Sequence, residues 1–178
     1  MKTIFWLVVT IMVNMGTAHA APFIVTSTTV QDGKNLPKSM EFSGFGCDGG
    51  NISPALSWND PPAGTKSFAV TMYDPDAPTS VGWWHWLVYN IPAQTRVIAA
   101  GAVPPGSSQG YTDFGSTGFG GACPPQGDKP HRYIITVYAL SVDKFDVPPA
   151  AMTGAKLRYL MREVTLGQAV IMGLYGRR

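Results

Sequence analysis

The sequence predicts a mainly β domain, one sheet packed on another, with a single helix laid against them near the C-terminus. Three observations lead there. Glycine and proline are abundant, at 20 and 15 residues, and are spread throughout the chain. That spacing suits many short strands joined by turns better than a helical bundle. β-branched and aromatic runs of strand length recur, and one segment alone carries apolar residues at helical spacing.

The elements follow in order. Phe23–Ser27 is an early β-rich run, and Ser67–Asp74 mixes apolar and polar residues with strand composition. Trp86–Ile91 stops at Pro92, which cannot donate to a ladder. Tyr133–Leu140 is apolar and β-branched enough for a strand buried on both faces. Thr153 can cap a helix whose Leu157, Leu160, Met161 and Val164 share one face, with Gly167 as a natural stop. Ala169–Tyr175 reads as the last strand. The Gly, Ser, Pro and Thr of residues 99–121, with isolated aromatics, read as a long surface loop that moves or lines a site.

Residues 1–20 read as an export signal: Lys2, then an apolar run over residues 4–13, then Ala18-His19-Ala20 as a small-x-small cleavage pattern. The run is too short for the ~20 residues that span a bilayer. Removal would leave residues 21–178 as one domain, large enough for a substantial core, in the periplasm or secreted. Without Lys2 the balance is 12 basic against 11 acidic residues, and the basic ones are dispersed. A phosphate-tracking stripe for nucleic acid is therefore not expected.

Two cysteines in an exported chain suggest one disulfide, Cys47–Cys123, with free thiols as the alternative. Closing so long a loop is worth about 4 kcal/mol in the chain-entropy model. Two sulfurs are too few for a Cys-only zinc site.

The two histidines outside the signal, His85 and His131, lie in short segments rich in turn-formers. Asp74-Pro75-Asp76-Ala77-Pro78 precedes Gly82-Trp83-Trp84-His85-Trp86, and Gly120-Gly121-Ala122-Cys123-Pro124-Pro125 precedes His131-Arg132-Tyr133. Acids, imidazoles and a phenol at the ends of apolar strands can build a small polar pocket. By itself Asp-Pro-Asp-Ala-Pro is equally a competent turn, and His85 equally a packed histidine among tryptophans.

These segments, with Phe42-Ser43-Gly44-Phe45-Gly46-Cys47, Asn51-Ile52-Ser53-Pro54-Ala55-Leu56-Ser57-Trp58 and His85-Trp86-Leu87-Val88-Tyr89-Asn90-Ile91-Pro92, form an ordered series. The series resembles the phosphatidylethanolamine-binding proteins, also called Raf-kinase-inhibitor-like proteins, in their bacterial YbhB/YbcL branch and most of all the exported YbcL type. The resemblance implies a large antiparallel sheet packed on a smaller one, with Greek-key connections and a helix near the C-terminus. It also implies an anion pocket at the strand ends made by Asp74, Pro75, Asp76, His85, His131 and Tyr133, with Cys123 and Pro124 as one wall. The implied ligand is a phosphate-type or other small anion. Where many eukaryotic relatives have glycine before Pro-Pro, this chain has Cys123. Their gating C-terminal helix has no counterpart after Tyr175, so a lid must come from elsewhere.

Imidazoles suit anions because small pKa shifts switch their charge near neutrality. One aspartate can fix a histidine tautomer, the other can meet an ammonium, and Tyr133 can donate without adding charge. Of the tryptophans, alternation puts Trp84 and Trp86 on one face and His85 on the other, with Trp86 in the core. An exposed remainder can stack on a ligand or form a contact between two copies of the chain.

The rival readings are an interaction protein with a vestigial pocket, acting on a protein partner, and a hydrolase. Gly106-Ser107-Ser108-Gln109-Gly110 matches a serine-hydrolase pattern but lacks the strand-to-helix setting. Two histidines and an aspartate can hold a catalytic metal, though no His-x-x-x-His pair is present. The expectation is a binding protein without cofactor or dedicated catalysis.

Overall fold

The computed structural model describes residues 21–178, and the export signal expected over residues 1–20 lies outside them. The strands are β1 (Ile24–Thr26), β2 (Ser43–Gly44), β3 (Cys47–Asp48), β4 (Leu56–Asn59), β5 (Ser67–Asp74) and β6 (Trp83–Pro92). They continue as β7 (Val97–Ile98), β8 (Ser108–Gln109), β9 (His131–Leu140) and, after helix α1 (Gly154–Met161), β10 (Thr165–Tyr175). A five-stranded sheet in the order β10-β9-β5-β6-β8 packs against a three-stranded sheet, β1-β4-β7, and β2-β3 is a separate hairpin. All these pairings are antiparallel, so the chain is mainly β with a larger and a smaller sheet.

Side-chain alternation makes the sandwich. Phe68, Val70 and Met72 of β5 and Tyr133, Ile135, Val137 and Ala139 of β9 face the smaller sheet, where Leu56, Trp58 and Ile98 meet them. Burying each such large side chain is worth roughly 1.5–3 kcal/mol. Ala69 and Leu140 point the other way, into a second cluster with Leu157 and Met161 of α1. The two-faced burial expected of β9 therefore holds where α1 covers it, while Ile134 is half-buried.

Three local expectations give way to tertiary pairing. The helix starts as expected, with Thr153 Oγ1 accepting from Lys156 N at 3.3 Å, but ends at Met161. Val164 O accepts from Ser141 N at 2.8 Å and launches β10, which begins ahead of the expected Ala169. Gly167 is consequently no helix stop. It sits at an irregularity in β10, against the Pro62 ring. The loop over residues 99–121 also adds β8 to the sheet edge, where Gln109 Oε1 accepts from Trp86 Nε1 at 2.9 Å.

The third correction concerns β6. Met72 faces Trp86 while Tyr73 faces Trp84, so His85 is the extra residue of a β-bulge. Strict alternation fails there. His85 and Trp86 both turn toward the inner layer, while Trp84 packs outward, 4.5 Å from the Tyr73 ring. Trp86 is fully buried in the core.

Candidate functional site

Asp74 ends β5, His85 stands at the bulge in β6, and His131 and Tyr133 lie two apart on β9, on one face. Because β5 lies between β6 and β9, these three strand ends adjoin. The β5–β6 turn closes tightly at Gly82 (φ 68°), where a side chain would strike the Tyr73 hydroxyl. The long loop supplies the remaining side. Gly120 N donates to His85 O at 2.9 Å, and Ala122 N donates to Met40 O at 3.0 Å. Gly121 passes so close to the Met40–Phe42 backbone that a Cβ there would overlap it. Asn51 secures the same loop, its Oδ1 accepting from Gly121 N at 2.8 Å and its Nδ2 donating to Phe119 O at 3.2 Å.

The result is a cavity of about 200 Å³ lined by Asp74, His85, His131, Tyr133 and the Cys123-Pro124-Pro125 wall, with an apolar mouth. Cys123 is disulfide-bonded to Cys47. Arg177 Nε braces the wall by donating to Pro124 O at 2.6 Å. Phe45, Trp83 and Phe114 surround the opening, and the Phe45 and Phe114 rings stack at 6.0 Å.

The polar groups are nearly sealed, Asp74 at 2%, His85 at 3%, His131 at 4% and Tyr133 at 0% exposure. His131 Nδ1 donates to Asp74 Oδ2 at 2.8 Å, and its Nε2 lies 3.5 Å from Asp128 Oδ2. Asp74 Oδ1 accepts from Asp76 N at 2.8 Å. His85 Nδ1 lies 2.8 Å from Gly120 O and 3.1 Å from Gly121 O. Burial holds the His85 imidazole below its ordinary pKa, against the Gly120 carbonyl and Asp74, which favour its charged form. The Tyr133 hydroxyl is buried and makes no well-aligned hydrogen bond, although Asp74 and the Cys123 backbone lie within its reach; burial, and then Asp74, push its ionisation well above the ordinary range.

Of the residues predicted to share a pocket, Asp74, His85, Cys123, Pro124, His131 and Tyr133 come together, while Pro75 and Asp76 do not line the cavity. Asp76 turns outward and forks onto Arg132, with Oδ2 2.8 Å from Nε and Oδ1 2.7 Å from Nη2. That pairing, opposed by partial burial, draws the Asp76 carboxyl down to about 2. Sequence reasoning missed Phe45 and Phe114; an aromatic isolated in a Gly/Ser loop was the available signal for Phe114. It also missed Asn51, which adopts a positive φ of 50° and whose amide bonds Phe119 O and Gly121 N of the site loop.

Volume alone would point elsewhere. A larger, open groove of about 890 Å³ lies between α1 and the outer sheet face, but neither histidine nor Asp74 lines it. The converging titratable groups mark the smaller cavity. Among the described residues, no three His, Cys, Asp or Glu side chains are grouped to hold a metal ion. Nor is any helix among them long and apolar enough to cross a membrane.

The chain is thus a two-sheet β sandwich with acids and histidines gathered at its strand ends. Residues 26–176 match the family model of the phosphatidylethanolamine-binding proteins, and the chain belongs to that family. It is 50% identical over 165 residues to the UPF0098 protein YbcL of Escherichia coli K12, covering 89% of this chain and 90% of that one. It is also 50% identical over 155 residues to the UPF0098 protein YbhB of the same organism, covering 84% and 97%. The crystal structure of E. coli YbcL superposes with a TM-score of 0.85 at 48% identity, over 89% of this chain and all of that one. The structure of the phosphatidylethanolamine-binding protein homolog CT736 from Chlamydia trachomatis gives 0.76 at 34% identity, over 88% and 98%.

Proposed function

We propose that this protein is an exported binding protein whose cavity takes a small phosphate-type anion and which carries no dedicated catalysis. The observation that carries the reading is the convergence of two imidazoles, Asp74 and the buried Tyr133 hydroxyl on one cavity of about 200 Å³. That volume suits a phosphate group, and a phenol can donate to it without desolvating a second charge.

Export is supported by the signal-like residues 1–20 and by the Cys47–Cys123 bond, which belongs to oxidising compartments. The absence of catalysis is supported by the serine-hydrolase-like segment. Ser107 Oγ donates to Pro104 O at 2.6 Å within a turn, and Ser108 is part of an edge strand. Neither is paired with a histidine.

Titration of the protein with inorganic phosphate, followed by NMR, tests the binding. The wild type should bind weakly, and His85→Ala and His131→Ala should each reduce affinity by about fivefold or more, as expected for losing a hydrogen bond to a charged group. Equal affinity in all three proteins would sink the proposal.

A further inference from the structure

We infer that the open groove beside α1 docks an acidic amphipathic helix of a partner protein. The helix lays its apolar face on the outer side of the larger sheet and sets its carboxylates on Arg158 and Arg162. This surface is separate from the anion cavity. Tyr73 and Ile134 line the groove, while their chain neighbours Asp74 and Tyr133 line the cavity, so the two occupy opposite faces of one sheet.

The groove, about 890 Å³, has no cover among the described residues, yet its surface is rich in large apolar side chains. Tyr159 is 75% and Val81 74% exposed, and Tyr73, Trp84 and Ile134 beside them are half-buried. Large apolar side chains gathered on one face, rather than scattered singly, mark a contact surface. Trp, Tyr and Arg are also the residues that anchor protein interfaces. Lys, Asp and Glu, which interfaces avoid, are missing from the lining of the groove.

Charge selects the occupant. Arg158 in α1 and Arg162 at its C-cap stand one turn apart, and both exposed side chains line the groove. Arg158 has no ion pair among the described residues, and Arg162 holds only Glu163, in an exposed pair worth little. A second copy of this face fits badly, because two-fold pairing sets arginines against arginines and one hollow against another. An acidic partner meets both arginines when its carboxylates are also one turn apart.

Backbone hydrogen bonding selects the form of that partner. The floor belongs largely to β5 and β9, each paired on both sides, so their N–H and C=O groups are already committed. An extended segment buried there would leave its own backbone unpaired, whereas a helix satisfies its own and offers side chains alone. Such docking is read through apolar residues that recur along one helical stripe.

The test titrates the protein with a fluorescent helical peptide of about 15 residues, near the shortest length at which isolated helices hold. One face of the peptide carries leucines, and its flank carries glutamates one turn apart. The protein should bind it about tenfold or more tightly than the same peptide with lysines in place of the glutamates. Arg158→Glu combined with Arg162→Glu should invert that preference. Tyr159→Ala should weaken binding about fivefold or more, and its side chain is too exposed for the change to threaten folding. Phosphate binding should be unchanged in these variants, so the groove and the anion pocket fail or stand separately. No binding of the acidic helix overturns the inference, as does equal binding of the lysine version or tighter binding of an extended, proline-containing peptide of the same charge. Arginine-dependent binding to phosphatidylglycerol vesicles but not to the peptide would assign the face to a lipid surface and overturn it too. A dimer that Tyr159→Ala dissociates would give the face to a second copy, with the same consequence.

Discussion

Asp74 and Asp76, separated by one proline, face opposite ways: Asp74 points into the cavity and holds His131, while Asp76 points to solvent and clasps Arg132. The Asp76 backbone N–H closes the arrangement by donating to Asp74 Oδ1 at 2.8 Å. One turn thereby orients the site histidine and pins the start of β9, since Asp76 Oδ2 also accepts from Arg132 N at 2.9 Å.

Asp74→Ala removes the acceptor of two buried donors, His131 Nδ1 and the Asp76 amide. Leaving such groups unsatisfied should cost about 2–3 kcal/mol of stability. Urea unfolding measures it, and Asp74→Asn, which keeps an acceptor oxygen, should recover part of the loss. An unchanged midpoint for the alanine variant would mean that water satisfies both donors.

Tyr133→Phe separates stability from function. The phenylalanine deletes a buried hydroxyl that makes no well-aligned hydrogen bond to the protein, so stability should stay within about 1 kcal/mol of wild type or rise. Phosphate affinity should fall about tenfold, because the donor to the anion is gone. A clear loss of stability with intact binding would assign the hydroxyl to the fold instead.

Reducing the Cys47–Cys123 bond should cost about 4 kcal/mol, the loop-closure value for its sequence separation. The same treatment frees the cavity wall at Cys123, so phosphate binding should weaken too. Denaturant curves with and without reductant check the first claim, and titration under both conditions checks the second.

Acid should destabilise the protein through Glu41 and Asp76. Burial raises the Glu41 carboxyl, but the Tyr175 hydroxyl, Lys38 and the Asp48 N–H outweigh it and hold the group at about 2. Arg132 draws Asp76 down to about 2 as well. Both native values lie below the ordinary carboxylate range of about 4, so their contributions are present above that pH and fade as it falls toward 2. Unfolding midpoints measured from pH 6 down to 2 should therefore drop, and Glu41→Gln should flatten the fall. Parallel profiles for the two proteins would exclude Glu41 as a source.

Much of the sandwich was legible in local composition. The β-branched runs around Val70 and Val137 are strands, Thr153 caps the helix, and Cys47 and Cys123 are bonded. The long strands and the cap announce themselves because a run of like residues and a polar oxygen before a helical stripe are properties of neighbours in the chain. The short β2, β3, β4 and β7 do not, since two to four residues carry too little pattern.

What the sequence determined by itself was the inventory: strand-forming runs, two imidazoles, a phenol and acids placed at their ends, and turns stiffened by Pro and Gly. Tertiary structure decided which of them share the cavity. Pairing across β5 drew His85, Asp74 and Tyr133 together, the β6 bulge reversed His85 relative to simple alternation, and Arg132 took Asp76 away. The physical reason is that side-chain direction depends on ladder register and on competition for partners, and both are settled only when distant segments pack.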